Sequence, residues 1–228
     1  MKGIFYGIGV GPGDPELLTV KAINAIKDSD VIIGQKTALR IAESYIPSDA
    51  DVVCHSFPMV RDFEQYPEIF ESIVQKTLPC LDEGRNVGFL TLGDPMFYST
   101  YIYILKLLKK ADVRIETVSG VPAFLAAAAR TALPAAYGDE ILTIIPATAD
   151  PGKISDALKS SDAAVLMKVY KNFHDIAGMI RKEDLAENAV LISRCGLDDE
   201  KVITDITSCR DDDINYLSTI LTRRKTDR

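Results

Sequence analysis

The stretch FYGIGVGPGDPELLTVKA, residues 5–22, decides the fold of this chain, because an apolar run passes through closely spaced glycines into a helical pattern. Glycine occupies every second position from Gly7 to Gly13. This order is typical of the first strand, bend and helix of an α/β domain. Asp14 is expected to cap the helix, and Pro15 to occupy its first position, where the missing N–H costs nothing.

The glycine spacing excludes the two common phosphate-binding loops. The dinucleotide fingerprint G-x-G-x-x-G requires glycine where this chain has Pro12, counting from Gly7, or Asp14, counting from Gly9. The loop G-x-x-x-x-G-K-[ST] of nucleoside triphosphatases fails from Gly7 in the same way. Asp14 would also repel a phosphate at the helix N-terminus. Two interpretations stay open for this bend alone: a tight structural turn, or the floor of a site for a bulky uncharged or cationic ligand.

Two further bends follow apolar runs later in the chain, in LTLGDPMFYST at residues 90–100 and VSGVPA at residues 118–123. Glycine and proline favour tight turns in both, and Asp94 has the place of a capping residue. In open parallel sheets the ligand lies beyond the carboxyl ends of the strands. The three bends together therefore predict a broad, flat-floored cleft at one sheet edge.

Length and pattern predict an α/β protein of two domains. The chain has 228 residues, of which 47% are apolar, and apolar runs alternate with helical patterns. Three strand-like pieces follow one another near the end of the chain, which indicates some antiparallel pairing. We expect a mainly parallel first sheet and a mixed second sheet, in domains of residues 1–114 and 115–228.

Composition argues against several classes of function. The net charge is −7, whereas a nucleic-acid-binding protein normally carries a basic stripe. No apolar run reaches the roughly 18 residues of a membrane span, and the N-terminus does not have the pattern of a signal peptide. With few cysteines as well, we expect a cytoplasmic protein. His55 and His174 are the only histidines, and no ligand spacing surrounds them, so we expect no metal site.

The three bends together resemble the tetrapyrrole (corrin/porphyrin) methylase family. GVGPGDPELLT at residues 9–19, LTLGDPMFYST and VSGVPA match its motifs in order and at sensible spacing. Within the family, GDEILTIIPAT at residues 138–148 and the ending NYLSTILTRR at residues 215–224 look most like precorrin-2 and cobalt-factor-II C20-methyltransferases. The resemblance covers nearly the whole chain.

The resemblance implies two α/β domains with a cleft between them, in a homodimer that binds S-adenosyl-L-methionine folded in the cleft. The reaction it implies is methylation of the C20 meso carbon of precorrin-2 or cobalt-factor II during cobalamin biosynthesis, with S-adenosyl-L-homocysteine as product. The family motifs map cofactor contacts onto Pro12, Leu92, Gly93, Asp94, Phe97, Pro122, Ala123 and Met167.

The tetrapyrrole carries several carboxylates, so an acidic protein needs a local basic rim to bind it. Lys36, Arg40 and Arg61 are our candidates for substrate binding, with Lys168, Lys171 and Arg194 as further basic residues near predicted loops.

The catalytic base is unassigned. Some relatives that methylate uroporphyrinogen have an aspartate where this chain has Gln35, which argues against that activity here. Tyr98 and His55 are possible bases, although solvated or core roles are the more frequent ones for such residues.

Three alternative functions are weighed against this one. A nicotinamide oxidoreductase fails on the glycine spacing. An RNA or protein methyltransferase of the same fold, such as a ribosomal ribose methylase or a diphthine synthase, is disfavoured by the acidic composition and by the C20-type motifs. A non-catalytic ligand-binding module would be expected to have degenerate loops, and all three motifs are intact.

Overall fold

The computed structural model describes residues 2–56 and 67–224. The chain divides into two compact units, Met1–Pro122 and Ala123–Arg228. No helix within the described ranges is long and apolar enough to cross a membrane.

The first unit is an all-parallel sheet with helices between its strands. The strand order is β3-β2-β4-β1-β5, and every pair in it is parallel, as the alternating pattern predicted. The elements are β1 (Ile4–Gly9), α1 (Val20–Lys27), β2 (Val31–Gly34), α2 (Lys36–Ala42), β3 (Asp51–Cys54), α3 (Pro67–Asp82), β4 (Val87–Thr91), α4 (Tyr101–Leu108) and β5 (Arg114–Val118).

Aromatic packing fills the core of this unit. The ring of Tyr101 stacks on those of Phe5 and Phe89, with centroids 6.4 Å apart in both pairs. Its hydroxyl lies 2.5 Å from Thr117 Oγ1 on β5. A Cβ at Gly7 would lie 2.1 Å from the Tyr101 ring, so this glycine serves the core. One of the closely spaced glycines is thus explained without any ligand.

The division between the units falls later than the sequence indicated. The predicted boundary after residue 114 lies inside β5, which pairs with β1 from Ile4↔Arg114 to Ile8↔Val118. This strand therefore completes the first sheet, and the compact units separate after Pro122. A strand pattern does not reveal which of two sheets it joins, so the sequence could not place this boundary.

Two helices differ from their predicted extents. Asp14 does cap a helical segment, since its Oδ1 accepts from the Glu16 N–H at 2.8 Å, but this segment is a short 3₁₀ turn. The helix α1 begins only at Val20, where Thr19 Oγ1 accepts from the Ala22 N–H at 3.1 Å. Conversely, α3 continues through Pro79, although a proline inside a helix normally breaks or kinks it. Its buried face on both sides of the proline holds it together.

The second unit contains a mixed sheet, as predicted. The strand order is β6-β7-β10-β8-β9; β6 and β7 pair in parallel, and the other neighbours pair antiparallel. The elements are α5 (Ala123–Thr131), β6 (Leu142–Pro146), α6 (Pro151–Ser160), β7 (Ala163–Met167), α7 (Phe173–Lys182), β8 (Ala189–Ser193), β9 (Lys201–Ile203) and β10 (Ser218–Arg223).

Candidate functional site

Three loops meet at the carboxyl edge of the first sheet. They are loop 1 (residues 10–14) after β1, loop 2 (residues 92–100) after β4 and loop 3 (residues 119–122) after β5. The strands β4, β1 and β5 are neighbours and run parallel, so their carboxyl ends lie side by side. The topology therefore brings together the three motifs that the sequence separates.

Glycine backbone joins loops 1 and 2 directly. The Gly93 N–H donates to Gly11 O at 2.8 Å, and the Gly11 N–H donates to Gly93 O at 3.3 Å. These bonds form an isolated antiparallel bridge between the two loops. Close backbone approach of this kind is a recognised use of glycine.

Loop 3 packs against loop 2 and against Gly9 at the end of β1. A Cβ at Gly120 would lie 2.2 Å from Gly93 O and 2.8 Å from the carbonyl carbon of Gly9. A Cβ at Gly9 would lie 2.6 Å from Gly120 N and from Gly93 O. All four distances are shorter than a Cβ atom tolerates. The three loops can therefore meet only where glycine supplies the contact.

The Asp94 carboxylate ties loop 2 to loop 3. Its Oδ2 accepts from the Gly120 N–H at 3.1 Å, and its Oδ1 accepts from the Met96 N–H at 2.8 Å. The side chain is partly buried. A carboxylate has about four lone-pair sites, so these two bonds leave acceptor capacity at each oxygen. Asp94 can thus hold the loops together and still accept from a ligand.

The charges and donors at this edge suit a cationic or neutral ligand. The 3₁₀ turn after loop 1 already has Asp14 as its cap, and α1 already has Thr19. Anion sites at helix N-termini use backbone N–H groups that no side chain has capped, and here side chains already cap both N-termini. A phosphate would also face the Asp94 carboxylate. The geometry therefore agrees with the exclusion of phosphate drawn from the glycine spacing.

The structure gathers most of the predicted cofactor residues at this edge. Pro12 is buried in loop 1 and Gly93 is buried in loop 2, where Leu92, Asp94 and Phe97 are partly buried. Pro122 closes loop 3 as the last residue of the first unit. The remaining two belong to the second unit, where Ala123 begins α5 and Met167 ends β7.

Two of the three predicted substrate-binding cations lie on one helix. Lys36 and Arg40 are exposed and one turn apart on α2, which follows β2, the other neighbour of β4. Arg61 falls outside the described residues. His55 follows β3; burial, and then the charge of Lys76, lowers the pKa of its imidazole.

Backbone strain marks positions that the sequence did not reveal. Among the described residues, five other than glycine have positive φ: Tyr98, Ala132, Lys168, Asp184 and Arg194. Ala132 and Asp184 lie just beyond the ends of α5 and α7, where a left-handed residue commonly ends a helix. The other three lie in loops after β4, β7 and β8. No composition signal announces such a conformation in a tyrosine, lysine or arginine.

A protein-family comparison identifies the chain. The model of the Tetrapyrrole (Corrin/Porphyrin) Methylases matches residues 5–208. The chain belongs to this family. The resemblance drawn from the three loop motifs is therefore confirmed, and loops 1 to 3 are those of a tetrapyrrole methylase.

Individual relatives align with nearly the whole length of this tetrapyrrole methylase. It is 33% identical to the cobalt-precorrin-2 C(20)-methyltransferase of Salmonella typhimurium, covering 99% of this chain and 98% of the relative. It is 34% identical to the probable cobalt-precorrin-2 C(20)-methyltransferase of Methanocaldococcus jannaschii, covering 96% and 95%. The crystal structure of a cobalt precorrin-4 methyltransferase has the same fold, with a TM-score of 0.80, 24% identity and coverage of 96% and 94%.

Proposed function

We propose that this chain is an S-adenosyl-L-methionine-dependent methyltransferase that methylates C20 of a precorrin-2-type tetrapyrrole in cobalamin biosynthesis. The observation that carries the proposal is similarity along nearly the full chain to two relatives named for that reaction, at 33% and 34% identity. Both relatives are named for the cobalt-containing substrate. We therefore favour the cobalt complex, cobalt-factor II or its reduced form, over metal-free precorrin-2.

The residues at the carboxyl edge of the first sheet fit the proposed cofactor. S-Adenosyl-L-methionine carries a methyl group activated on a sulfonium, and S-adenosyl-L-homocysteine remains after transfer. Backbone groups of loop 2, apolar Pro12 and Leu92, and the carboxylate of Asp94 match a ligand with positive charge and apolar surface. We assign cofactor binding to Pro12, Leu92, Gly93, Asp94, Phe97, Pro122, Ala123 and Met167.

The contribution of these loops to the reaction is orientation. Methyl transfer is an in-line displacement, and holding two reactants in line is worth roughly 7–11 kcal/mol in favourable cases. Backbone bonds between Gly11 and Gly93 join loops 1 and 2, and the short Asp94 side chain joins loop 2 to the Gly120 N–H, so no long flexible side chain holds the loops. A rigid floor of this kind suits a reaction whose barrier depends on alignment.

Asp94 acts in binding rather than in the chemical step. The positive charge of a sulfonium disappears as the methyl group leaves. A fixed carboxylate nearby therefore stabilises the ground state more than the transition state. Its bonds to the backbone of Met96 and Gly120 give it a second task, which is to shape the loops.

No side chain is assigned as catalytic base. The C20 carbon is conjugated to the ring nitrogens and is nucleophilic without a strong base. Water or a group of the substrate itself can take the proton that leaves C20 afterwards.

Lys36 and Arg40, together with Arg61, are proposed to bind substrate carboxylates. The first two are exposed on α2, which follows β2, a neighbour of β4 in the strand order. Neutralising all three, as Lys36→Gln, Arg40→Gln and Arg61→Gln, should raise the KM for the tetrapyrrole and leave the KM for the cofactor unchanged. An unaltered tetrapyrrole KM in steady-state assays removes this set from the substrate site.

The homodimer implied by the family resemblance and the cytoplasmic location inferred from composition stay predictions. Light scattering of the purified protein checks the first, and fractionation of cells checks the second.

An anaerobic assay with metal-free and cobalt-containing precorrin-2 tests the function. We expect a product heavier by one methyl group by mass spectrometry, located at C20 by NMR, and faster turnover of the cobalt form. Methylation at another carbon would assign the chain to a different reaction of the same family. Calorimetric binding of S-adenosyl-L-methionine without turnover of either form would indicate a non-catalytic ligand-binding module.

A further inference from the structure

Tyr98 in loop 2 has a backbone conformation that its residue type disfavours. Its φ is +48°, in the left-handed region. A bulky side chain is a genuine outlier there, and the conformation costs on the order of 1–2 kcal/mol relative to an ordinary one. Loop 2 also bends through a left-handed residue at Gly93, where glycine adopts φ +66° without strain. Glycine at position 98 would meet the same backbone demand, yet the chain has tyrosine.

The loop imposes this conformation from both sides. Before Tyr98, the Asp94 carboxylate accepts from the Met96 N–H at 2.8 Å. After it, the Ser99 hydroxyl lies 2.8 Å from Thr91 Oγ1 and accepts from the Tyr101 N–H at 3.1 Å. Strained residues persist where their surroundings over-determine them, and they concentrate at functional sites. The strain at Tyr98 is therefore a fixed feature of loop 2.

The same loop presents large apolar side chains. Tyr98 is 43% exposed and Met96 is 55% exposed. The Tyr98 ring meets the Phe97 ring edge-on, with centroids 4.8 Å apart at 64°. Phe97 thus supports one side of a tyrosine whose ring is otherwise half open. Partial burial also raises the pKa of the Tyr98 phenol, which keeps the hydroxyl protonated across the physiological range.

We propose that Tyr98 is a positioning residue for the tetrapyrrole, whose flat conjugated face packs against the exposed ring of this tyrosine. The inference rests on the proposed function. Aromatic rings prefer offset or edge contacts with other π systems, and such contacts add about 0.5–1.5 kcal/mol to the burial of their area. A flat macrocycle can stack on a tyrosine ring that is fixed in place and half exposed. This contact would explain why loop 2 has a strained tyrosine at position 98.

The variant Tyr98→Gly separates this role from a structural one. Glycine relieves the left-handed strain but removes the ring contact with Phe97, so the two effects should largely offset and the unfolding temperature should change by about 5 °C or less. Its KM for the tetrapyrrole should rise roughly tenfold, while its affinity for S-adenosyl-L-homocysteine stays the same. Tyr98→Phe retains the ring and should restore the wild-type KM to within roughly twofold, because the ring contact carries most of the effect.

Ala132→Gly is the matched control. Ala132 has φ +54° just beyond α5 and is exposed, so glycine relieves the same kind of strain away from loop 2. It should raise the unfolding temperature with no change in either KM. A tetrapyrrole KM that is unchanged in Tyr98→Gly would overturn the inference, and so would a loss of S-adenosyl-L-homocysteine binding. A changed oligomeric state of Tyr98→Gly by light scattering would assign the ring to a subunit contact instead.

The wild-type protein distinguishes failure of this inference from failure of the proposed function. Turnover of the tetrapyrrole by wild type, with an unaffected Tyr98→Gly, rejects only the role of Tyr98. Absorbance titration measures binding of each tetrapyrrole to the wild type. If the wild type neither binds nor turns over either form, the function and this inference are rejected together.

Discussion

The carboxyl edges of the two sheets are built by opposite means. In the first sheet, Gly9, Gly11, Gly93 and Gly120 bring three loops into backbone contact, with the Asp94 carboxylate as the polar link. In the second sheet, Lys168 and Arg194 directly follow β7 and β8, the two neighbours of β10, and both have positive φ. Apart from Tyr98, the first edge adopts its left-handed turns with glycine, whereas the second edge places two cationic residues in disfavoured conformations.

The difference shows which edge depends on shape and which depends on side chains. Neighbouring backbone excludes a side chain at Gly9 and Gly120, and positive φ disfavours one at Gly11 and Gly93, so these four positions offer a ligand only backbone groups. Where a lysine or arginine adopts a conformation that glycine would adopt without strain, the side chain itself must be the reason for the choice. We therefore expect substitutions at the first edge to affect folding and cofactor binding, and those at the second edge to affect charge.

The largest effect should come from Gly120→Ala. The new Cβ would lie 2.2 Å from Gly93 O, which is backbone and cannot move aside as a side chain does. We expect a loss of about 3 kcal/mol in the free energy of unfolding, measured in urea. Gly178→Ala in α7 is the control, because nothing lies within 4 Å of its new Cβ. It should be stabilised by about 0.5–1 kcal/mol. Equal changes in the free energy of unfolding of Gly120→Ala and Gly178→Ala would contradict the claim that glycine is required where the loops of the first edge meet.

An intermediate effect is expected at Asp94. Asp94→Ala removes two acceptors of backbone N–H groups, so the protein should lose about 2 kcal/mol in stability. Its affinity for S-adenosyl-L-methionine should fall roughly tenfold in calorimetry, equal to about 1.4 kcal/mol. Asp94→Asn keeps one carbonyl acceptor and should lie between wild type and Asp94→Ala.

Asp150→Ala is the matched control for Asp94. Asp150 also accepts from two backbone N–H groups, those of Gly152 at 3.0 Å and Lys153 at 3.2 Å, as the cap of α6. This variant should lose about 1 kcal/mol of stability with no change in cofactor affinity. If Asp94→Ala binds S-adenosyl-L-methionine with wild-type affinity, Asp94 is not part of the cofactor site. Its role would then be limited to joining loops 2 and 3.

The smallest effect should be a pH dependence at Lys168. Burial lowers the pKa of its ammonium group below the ordinary 10.5, so the folded protein holds this proton less tightly than the unfolded chain. Between the folded pKa and 10.5, unfolding therefore takes up a proton, and stability rises with pH. Lys168→Met has no ammonium group at this position and therefore lacks this increase of stability with pH. The stability difference between Lys168→Met and wild type should shrink as the pH rises from neutral towards 10.5.

Lys171→Met provides the comparison for Lys168, since Lys171 is an exposed neighbour on the same segment. In chemical denaturation over this range, the pH dependence of Lys168→Met should remain after that of Lys171→Met is subtracted from it. A parallel pH dependence in both variants would show that burial of Lys168 is not its cause.

Sequence reasoning succeeded where one residue type has one physical use. Alternating apolar and helical patterns predicted the parallel first sheet and the mixed second one, because periodicity follows from which faces are buried. The glycine spacing and Asp14 excluded a phosphate loop, and the capped turn after loop 1 agrees. The three loop motifs were enough to identify the family, since their order reflects the adjacent strands β1, β4 and β5.

Sequence reasoning failed where several conformations suit the same residues. The boundary at residue 115 missed the pairing of β5 with β1, because a strand pattern carries no information about its partner. A proline inside a helix normally breaks it, but α3 is continuous through Pro79 and buries Phe70 and Leu81 on its two sides. The strain at Tyr98 and Lys168 was invisible, since tertiary contacts impose it and local preference opposes it.

The bridge between Gly11 and Gly93 has an evolutionary consequence. Peptide groups are identical in every amino acid, so a surface made from them offers natural variation nothing to adjust. We therefore expect a change of ligand preference in this chain to come from substitutions among the surrounding side chains, such as Met96, Phe97 and Tyr98, because the bridge itself presents none.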